Sequence, residues 1–217
     1  MNILYVYAHP SASSFNHKLK AHAQDSLGKH AMLLNSDLYA MHFNAVASWE
    51  DFDLDASALS PQYFFAQQQA YKKHKLAKDI TAEIEKLARA DHIIFQFPLW
   101  WFSAPAILKG WLDRVLVKGF AYDTGKTFDD GLLKGKTASC IVTTQSPEAA
   151  YQVNGIHGAT MDAFLHSIHH TLRFVGMTIQ APFVVYGAFN LDAAREAQIM
   201  KDMDAYLNNL LAPVKTR

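Results

Sequence analysis

"FQFPLWWFSAPAILKGWLDRV", residues 95–115, opens as a continuous apolar run and closes as an amphipathic helix. A buried strand feeding a helix is the unit of a parallel α/β sheet. Between the two stand Pro98, Leu99, Trp100, Trp101, Phe102 and Ser103. Connecting loops lie at the surface. Two tryptophans and a phenylalanine there leave apolar area in water unless something flat and apolar covers it.

The same alternation runs through the chain. Residues 3–8, ILYVYA, are nearly all apolar, as a central parallel strand should be. Residues 16–28 read as a helix with Asn16 as N-cap. AMLLNSDL is a second strand, and residues 40–75 read as irregular, with Pro61 and a Gln-rich stretch. DITAEIEKLARA sets Ile80, Ile84 and Leu87 on one helical face, with Asp79 as the expected cap. DHIIFQF is the third strand, residues 104–117 the third helix and TASCIVTT the fourth strand. Residues 160–175 form a helix with Met161, Phe164, Leu165, Ile168, Leu172 and Val175 on one face, closed by Gly176. TIQAPFVVYG is expected to be one fifth strand, and residues 192–211 a last helix. No linker or repeat interrupts the pattern. The expectation is a single α/β domain over residues 1–217. It is a doubly wound, five-stranded parallel sheet of flavodoxin-like order 2-1-3-4-5, with helices on both faces.

Composition narrows the function. Lys+Arg and Asp+Glu number 20 each, so the net charge is zero. Nucleic acid needs a basic face, and none is expected as a partner. No apolar run approaches the ~20 residues of a membrane span. The opening MNILYVYAHP has no basic n-region and reads as a strand, not a signal peptide. The lone Cys140, inside a strand, fits a reducing compartment, so the cytoplasm is expected.

In a sheet of this kind ligands bind beyond the carboxyl ends of the strands. Three strand-end loops therefore share one crevice: AHPSASSFNHK, FPLWWFSAP and TTQSPEAAYQVNGIHGA. The first carries Ser11, Ser13, Ser14 and Asn16 at the start of a helix, which suits phosphate; capping by Ser14 or Asn16 explains the same residues equally simply. AHP also occurs after a first strand in zinc deacetylases, but Ser11 and Ala12 stand where those continue with aspartates. The second loop offers a flat aromatic wall, unless its rings pack into the core or a subunit interface. The third carries Thr143, Thr144, Gln145 and Ser146, then Tyr151 and His157, a pair suited to proton donation. An anion end, a flat wall and polar loop groups together match an isoalloxazine ring on a diphosphate. G-x-G-x-x-G, G-x-S-x-G and a P-loop are all absent from the sequence. His166 and His170 have i,i+4 spacing but no third ligand nearby, so no metal is expected there.

The chain resembles the NAD(P)H:quinone oxidoreductases of the DT-diaphorase type, flavodoxin-fold homodimers that hold FAD. The segments that carry the resemblance are YAHPSASSFN, SDLYAMHF, ADHIIFQFPLWWFSAPAILKGWLDRVL, GFAY, VTT and NGIHG. It implies FAD contacts from His9, Ser13, Ser14, Phe15 and Asn16, with Pro98, Leu99, Trp101 and Phe102 lining the ring. Thr143, Thr144, Gln145 and Ser146 would hold the ring's polar edge, and Gln62 would reach the FAD of a second subunit. The resemblance makes Tyr151 and His157 the catalytic pair. It makes Trp101, Phe102, Tyr122, His157 and Phe174 the pocket shared by nicotinamide and quinone. The activity it implies is two-electron, ping-pong hydride transfer from NAD(P)H through FAD to a quinone or similar flat acceptor.

Three departures stand out. Gln145 and Ser146 replace the family's Gly-Gly, and Thr124 falls where a second pocket tyrosine is usual. The sequence also stops soon after its last helix, as in shorter bacterial relatives, which leaves NADH against NADPH open. Two other readings compete: an ancillary flavoprotein subunit of a potassium-efflux system, and a flavodoxin-like electron carrier. The neutral charge and the Tyr151/His157 pair count against the carrier.

Overall fold

The computed structural model describes residues 1–212. The order of elements is β1 (Asn2–Tyr7), α1 (Phe15–Gly28), β2 (Met32–Asp37), α2 (Tyr63–Lys72), α3 (Lys78–Arg89), β3 (His92–Pro98), α4 (Ala106–Val115), β4 (Thr137–Thr143), α5 (Met161–Phe174), β5 (Thr178–Ile179), β6 (Phe183–Val185) and α6 (Ala193–Leu211). All strand pairs are parallel. The sheet order is β2-β1-β3-β4-β5, with β6 also on β4.

Alternation along the strands assigns the two faces. Ile3, Tyr5 and Tyr7 of β1 pack with Leu19, Ala23 and Leu27 of α1 and Ile199, Met203 and Leu207 of α6. Leu4 and Val6 point the other way, into a core with Ile93, Phe95 and Phe97 of β3 and the apolar stripes of α3, α4 and α5. β3 is buried along its whole length, which is why it reads as one apolar run.

Four expectations are corrected. Ser14, not Asn16, is the N-cap of α1: its hydroxyl accepts from the His17 amide. Asn16 lies inside the helix, buried, with its side chain committed elsewhere. The N-cap of α3 is Ala77, and Asp79 sits in the first turn. There Asp79 takes part in a buried ion cluster. The Arg114 guanidinium donates to Asp51 at 2.8 and 3.0 Å, to Asp79, and to the Asn44 carbonyl at 2.9 Å. Residues 40–75 are not irregular throughout, because α2 follows Pro61 and Gln62. Its Ala66 and Ala70 face the core, and the Tyr63 hydroxyl donates to Asp51. The fifth strand is two short ones, since Gln180, Ala181 and Pro182 interrupt the ladder between β5 and β6.

The segment around Ala45 crosses directly over α4. A Cβ at Gly110 would lie 2.0 Å from the Ala45 carbonyl oxygen, so only glycine permits the crossing.

Candidate functional site

A cavity of about 660 Å³ opens at the carboxyl ends of β1, β3 and β4. That is within the ~300–1,000 Å³ typical of small-molecule sites. Its walls include His9, Ser14, Phe15 and Asn16 from the first loop, Pro98, Leu99, Trp100 and Trp101 from the second, and Thr143, Thr144 and Gln145 from the third. Ala188 and Phe189, beyond β6, complete the rim.

The first wall is the start of α1. The Ser14 hydroxyl accepts from His17 N and donates to the Ser11 carbonyl, which fixes the turn. Among the described residues, the Phe15 and Asn16 amides have no partner within the chain. Free amides at a helix N-terminus, with its partial positive charge, form an anion-binding end. His9 Nδ1 accepts from the Ser11 amide at 3.1 Å, which orients the ring toward the cavity. Burial lowers the His9 pKa, so the ring is neutral near pH 7. Ser13 is exposed next to Ser11, with hydroxyls 3.0 Å apart, and is not in the wall.

The second wall is a tight hairpin. The Trp100 amide donates to the Ser103 carbonyl and the Ser103 amide to the Trp100 carbonyl, both at 3.0 Å. Trp101 and Phe102 fill the two central positions with φ of +50° and +61°. That is the geometry of a type I′ turn, which favours Asn-Gly. Bulky residues there cost roughly 1–2 kcal/mol each. The turn leaves Trp101 pointing outward, 94% exposed, and Trp100 against His9 with ring centroids 5.7 Å apart.

The third wall is bonded to the second and to β6. Leu99 N donates to the Thr143 carbonyl, Ala188 N to the Thr144 carbonyl and the Thr144 hydroxyl to the Ser146 carbonyl. Gln145 reaches the cavity, whereas the Ser146 hydroxyl turns to His157 Nε2, 3.1 Å away.

Beside the cavity lies an aromatic cluster. His157 packs on Phe102 (centroids 5.0 Å) and on Tyr151 (4.7 Å), and Phe164 and Tyr186 surround Tyr151. Gly155 permits the fold-back that places His157, since a Cβ there would lie 2.4 Å from the Ala149 carbonyl. Tyr151 is buried and borders a smaller cavity of about 380 Å³ with Gln152, Asp162 and Tyr186. Burial raises the Tyr186 hydroxyl's pKa.

The shared pocket expected from the sequence is therefore divided within one chain. Tyr122 and Phe174 form a separate cluster with Phe128, at centroid distances of 5.4 Å. Phe164 and Phe174 are ten residues apart on α5, so the two clusters stand ~15 Å apart along its axis. Gln62 is the exposed N-cap of α2 and lies outside the cavity wall. His166 and His170 stack at 5.4 Å on the open face of α5, and among the described residues no group of metal-ligating side chains assembles.

Residues missing from the sequence-based set include Ala188 and Phe189 in the cavity wall and Phe164 and Tyr186 beside Tyr151, while Trp100, read from the sequence as part of the aromatic loop, lines the cavity with Trp101. Phe189 carries the same signal as Trp101, a large ring in a strand-end loop, and is 72% exposed.

Comparison with known proteins agrees with this architecture. The family model described as flavodoxin-like fold matches residues 1–210. The human ribosyldihydronicotinamide dehydrogenase (quinone) is 43% identical over 188 residues, 85% of this chain and 80% of that protein. The rat NAD(P)H dehydrogenase (quinone) 1 is 39% identical over 201 residues, 91% of this chain and 73% of that protein. A crystal structure from Klebsiella pneumoniae, described as a candidate quinone reductase, superposes with a TM-score of 0.92 at 35% identity, covering 97% of this chain and 85% of that one. The protein is a member of the NAD(P)H:quinone oxidoreductase family, built on the flavodoxin-like fold.

Proposed function

We propose that the chain is an FAD-dependent NAD(P)H:quinone oxidoreductase that works as a homodimer by a ping-pong route. One observation carries the reading: an anion-binding helix start and an outward-held aromatic hairpin border the same cavity at the carboxyl ends of the strands. The residues fit a flavin dinucleotide. The unpartnered amides of α1 call for an anion, and the turn holds the Trp101 indole exposed at the cavity rim. FAD bound there would supply hydride transfer from NAD(P)H to a flat acceptor.

The chain's own groups then have distinct tasks. The amides of Phe15 and Asn16, with His9 and Ser14, would hold the diphosphate, and Ser13, outside the wall beside Ser11, would reach it only from the rim. Pro98, Leu99, Trp101 and Phe102 would cover the ring plane and exclude water. Thr143, Thr144 and Gln145 would meet its polar edge, with Ser146 behind them on His157. Tyr151 would donate from its hydroxyl toward the charge that develops there. His157 would hold or release a proton at Nε2, the atom now facing Ser146.

The divided pocket supports a two-fold dimer. Pairing α5 antiparallel to α5 of a second copy sets the Phe174 end of one against the Phe164 end of the other. That would bring Tyr122 and Phe174 to the substrate pocket formed by Trp101, Phe102 and His157, and Gln62 to the neighbouring flavin. It would also cover Trp101, which a lone chain leaves in water. No helix among the described residues is long and apolar enough to cross a membrane. The buried Cys140 supports a cytoplasmic setting.

The test is the absorption spectrum of the purified protein, mass identification of the released flavin, and the mass in solution. Bound FAD in a dimer is expected. A protein that takes up neither FAD nor FMN when supplied would overturn the reading.

A further inference from the structure

A line of buried hydrogen bonds runs under the cavity floor. The Tyr5 hydroxyl donates to Gln96 Oε1. Gln96 Nε2 donates to the Asn16 carbonyl at 2.7 Å and to Asn16 Oδ1 at 3.1 Å. Asn16 Nδ2 donates to Thr143 Oγ1 at 2.5 Å. Tyr5 and Gln96 are sealed from water, whereas Asn16 and Thr143 line the cavity.

The direction of this line is fixed by chemistry. A backbone carbonyl can only accept, so the Gln96 amide must turn Nε2 toward Asn16. Gln96 Oε1 then faces Tyr5, whose hydroxyl supplies the donor. Burial raises the Tyr5 pKa well above its ordinary value, so that donor stays protonated. With Gln96 Nε2 on its Oδ1, the Asn16 amide must present Nδ2 to Thr143. Thr143 Oγ1 already accepts, and its own proton has no acceptor within the chain among the described residues. Thr143 borders the cavity, which gives that proton a direction in which to donate.

We infer that Gln96 is a positioning residue: acting through Asn16, it commits the Thr143 hydroxyl to donate into the cavity, and so selects a ligand edge that accepts a hydrogen bond. This rests on the flavin reading above, in which Thr143 meets the polar edge of the ring. Tyr5 plays a different part. It satisfies Gln96 Oε1 but does not set the direction, because the Asn16 carbonyl already does.

The test uses the whole protein and binding rather than turnover. Dissociation constants for oxidised FAD are measured by flavin fluorescence in the parent, Thr143→Val, Thr143→Ser, Gln96→Met, Gln96→Met with Thr143→Val, and Tyr5→Phe, with thermal melts in parallel. Removing one hydrogen bond is worth a few-fold to about ten-fold in affinity. Thr143→Val and Gln96→Met are each expected to weaken FAD by that factor, and the pair together by no more than either alone. Thr143→Ser is expected to restore binding. Tyr5→Phe is expected to lower the melting temperature while leaving FAD affinity within two-fold of the parent. Should Gln96→Met fail to fold, Tyr5→Phe combined with Gln96→Leu removes both members of that buried bond and replaces it in the cycle. Additive losses from Gln96 and Thr143, or an affinity loss in Tyr5→Phe equal to that in Gln96→Met, would overturn the inference and leave the flavin reading intact. A parent that binds no flavin would overturn both.

Discussion

His157 Nε2 stands 3.1 Å from the Ser146 hydroxyl, at the position where relatives are expected to carry glycine. The serine therefore gives the imidazole a partner inside the chain, and does not fill the cavity. Ser146→Gly removes that partner and frees Nε2 for a ligand. Flavin reduction by NAD(P)H is expected to change in rate in Ser146→Gly, with the acceptor range unchanged. A widened acceptor range with a parent-like reduction rate would show that Ser146 acts by bulk.

Tyr151→Phe and His157→Gln remove the two groups placed to handle charge and protons. Each is expected to slow flavin reduction in stopped flow by ~10²-fold or more, with FAD binding nearly intact. The loss is smaller if water or the surviving partner substitutes. Parent-like rates in both variants would make the pair structural.

The Trp101–Phe102 turn predicts an opposition between stability and binding. Trp101→Asn with Phe102→Gly gives the turn the residues its left-handed dihedrals favour. In the flavin-free protein, relief of roughly 1–2 kcal/mol per residue is expected to raise Tm by several degrees. FAD affinity is expected to fall, since the aromatic wall is gone. A Tm below the parent's would mean that the rings stabilise the chain more than the turn strains it.

Asp51 and Arg114 are both sealed from water and bonded at 2.8 Å. Asp51→Ala leaves a buried guanidinium with only Asp79 and the Asn44 carbonyl. A loss of about 3–5 kcal/mol is expected in chemical denaturation. Loss within 1 kcal/mol would show that water reaches the cluster.

His92, between the Thr137 and Ser139 hydroxyls, predicts the acid limb of stability. Burial lowers its pKa to about 4 from an ordinary 6.5. Below pH 6.5 the unfolded chain binds a proton that the fold refuses, so stability falls as pH drops from 6.5 toward 4 and levels off below that. The loss amounts to roughly 3 kcal/mol. His92→Gln is expected to flatten this limb, and an unchanged slope would place the titration elsewhere.

The sheet order was legible because the central strands β1, β3 and β4 are buried on both faces and read as apolar runs, and α3, α4 and α5 each carry an apolar stripe. Helix starts were less legible. Ser14 and Asn16 are both good caps by type, and only the demand of Gln96 and Thr143 for the Asn16 amide decides between them. α2 was hidden by its polar sequence and by Phe64 and Phe65, whose exposed rings break the apolar stripe. In the site, loops that end strands could be grouped by topology alone. The division of the pocket was legible too, since the helix expected over residues 160–175 already sets His157 before its start and Phe174 near its end; what put both in one pocket was the resemblance. Phe189 escaped because only the loops after the first, third and fourth strands were assigned to the crevice, and Phe189 follows the last strand.

Anaerobic double mixing tests the central claim most directly. FAD-loaded protein is mixed first with NADH or NADPH and then, after the nucleotide is removed, with a simple quinone, while the flavin absorbance is followed. The account predicts that the absorbance bleaches in the first step and returns fully in the second, with no nucleotide present. Failure to bleach with either nucleotide, or a bleached protein that quinone does not restore, would contradict it.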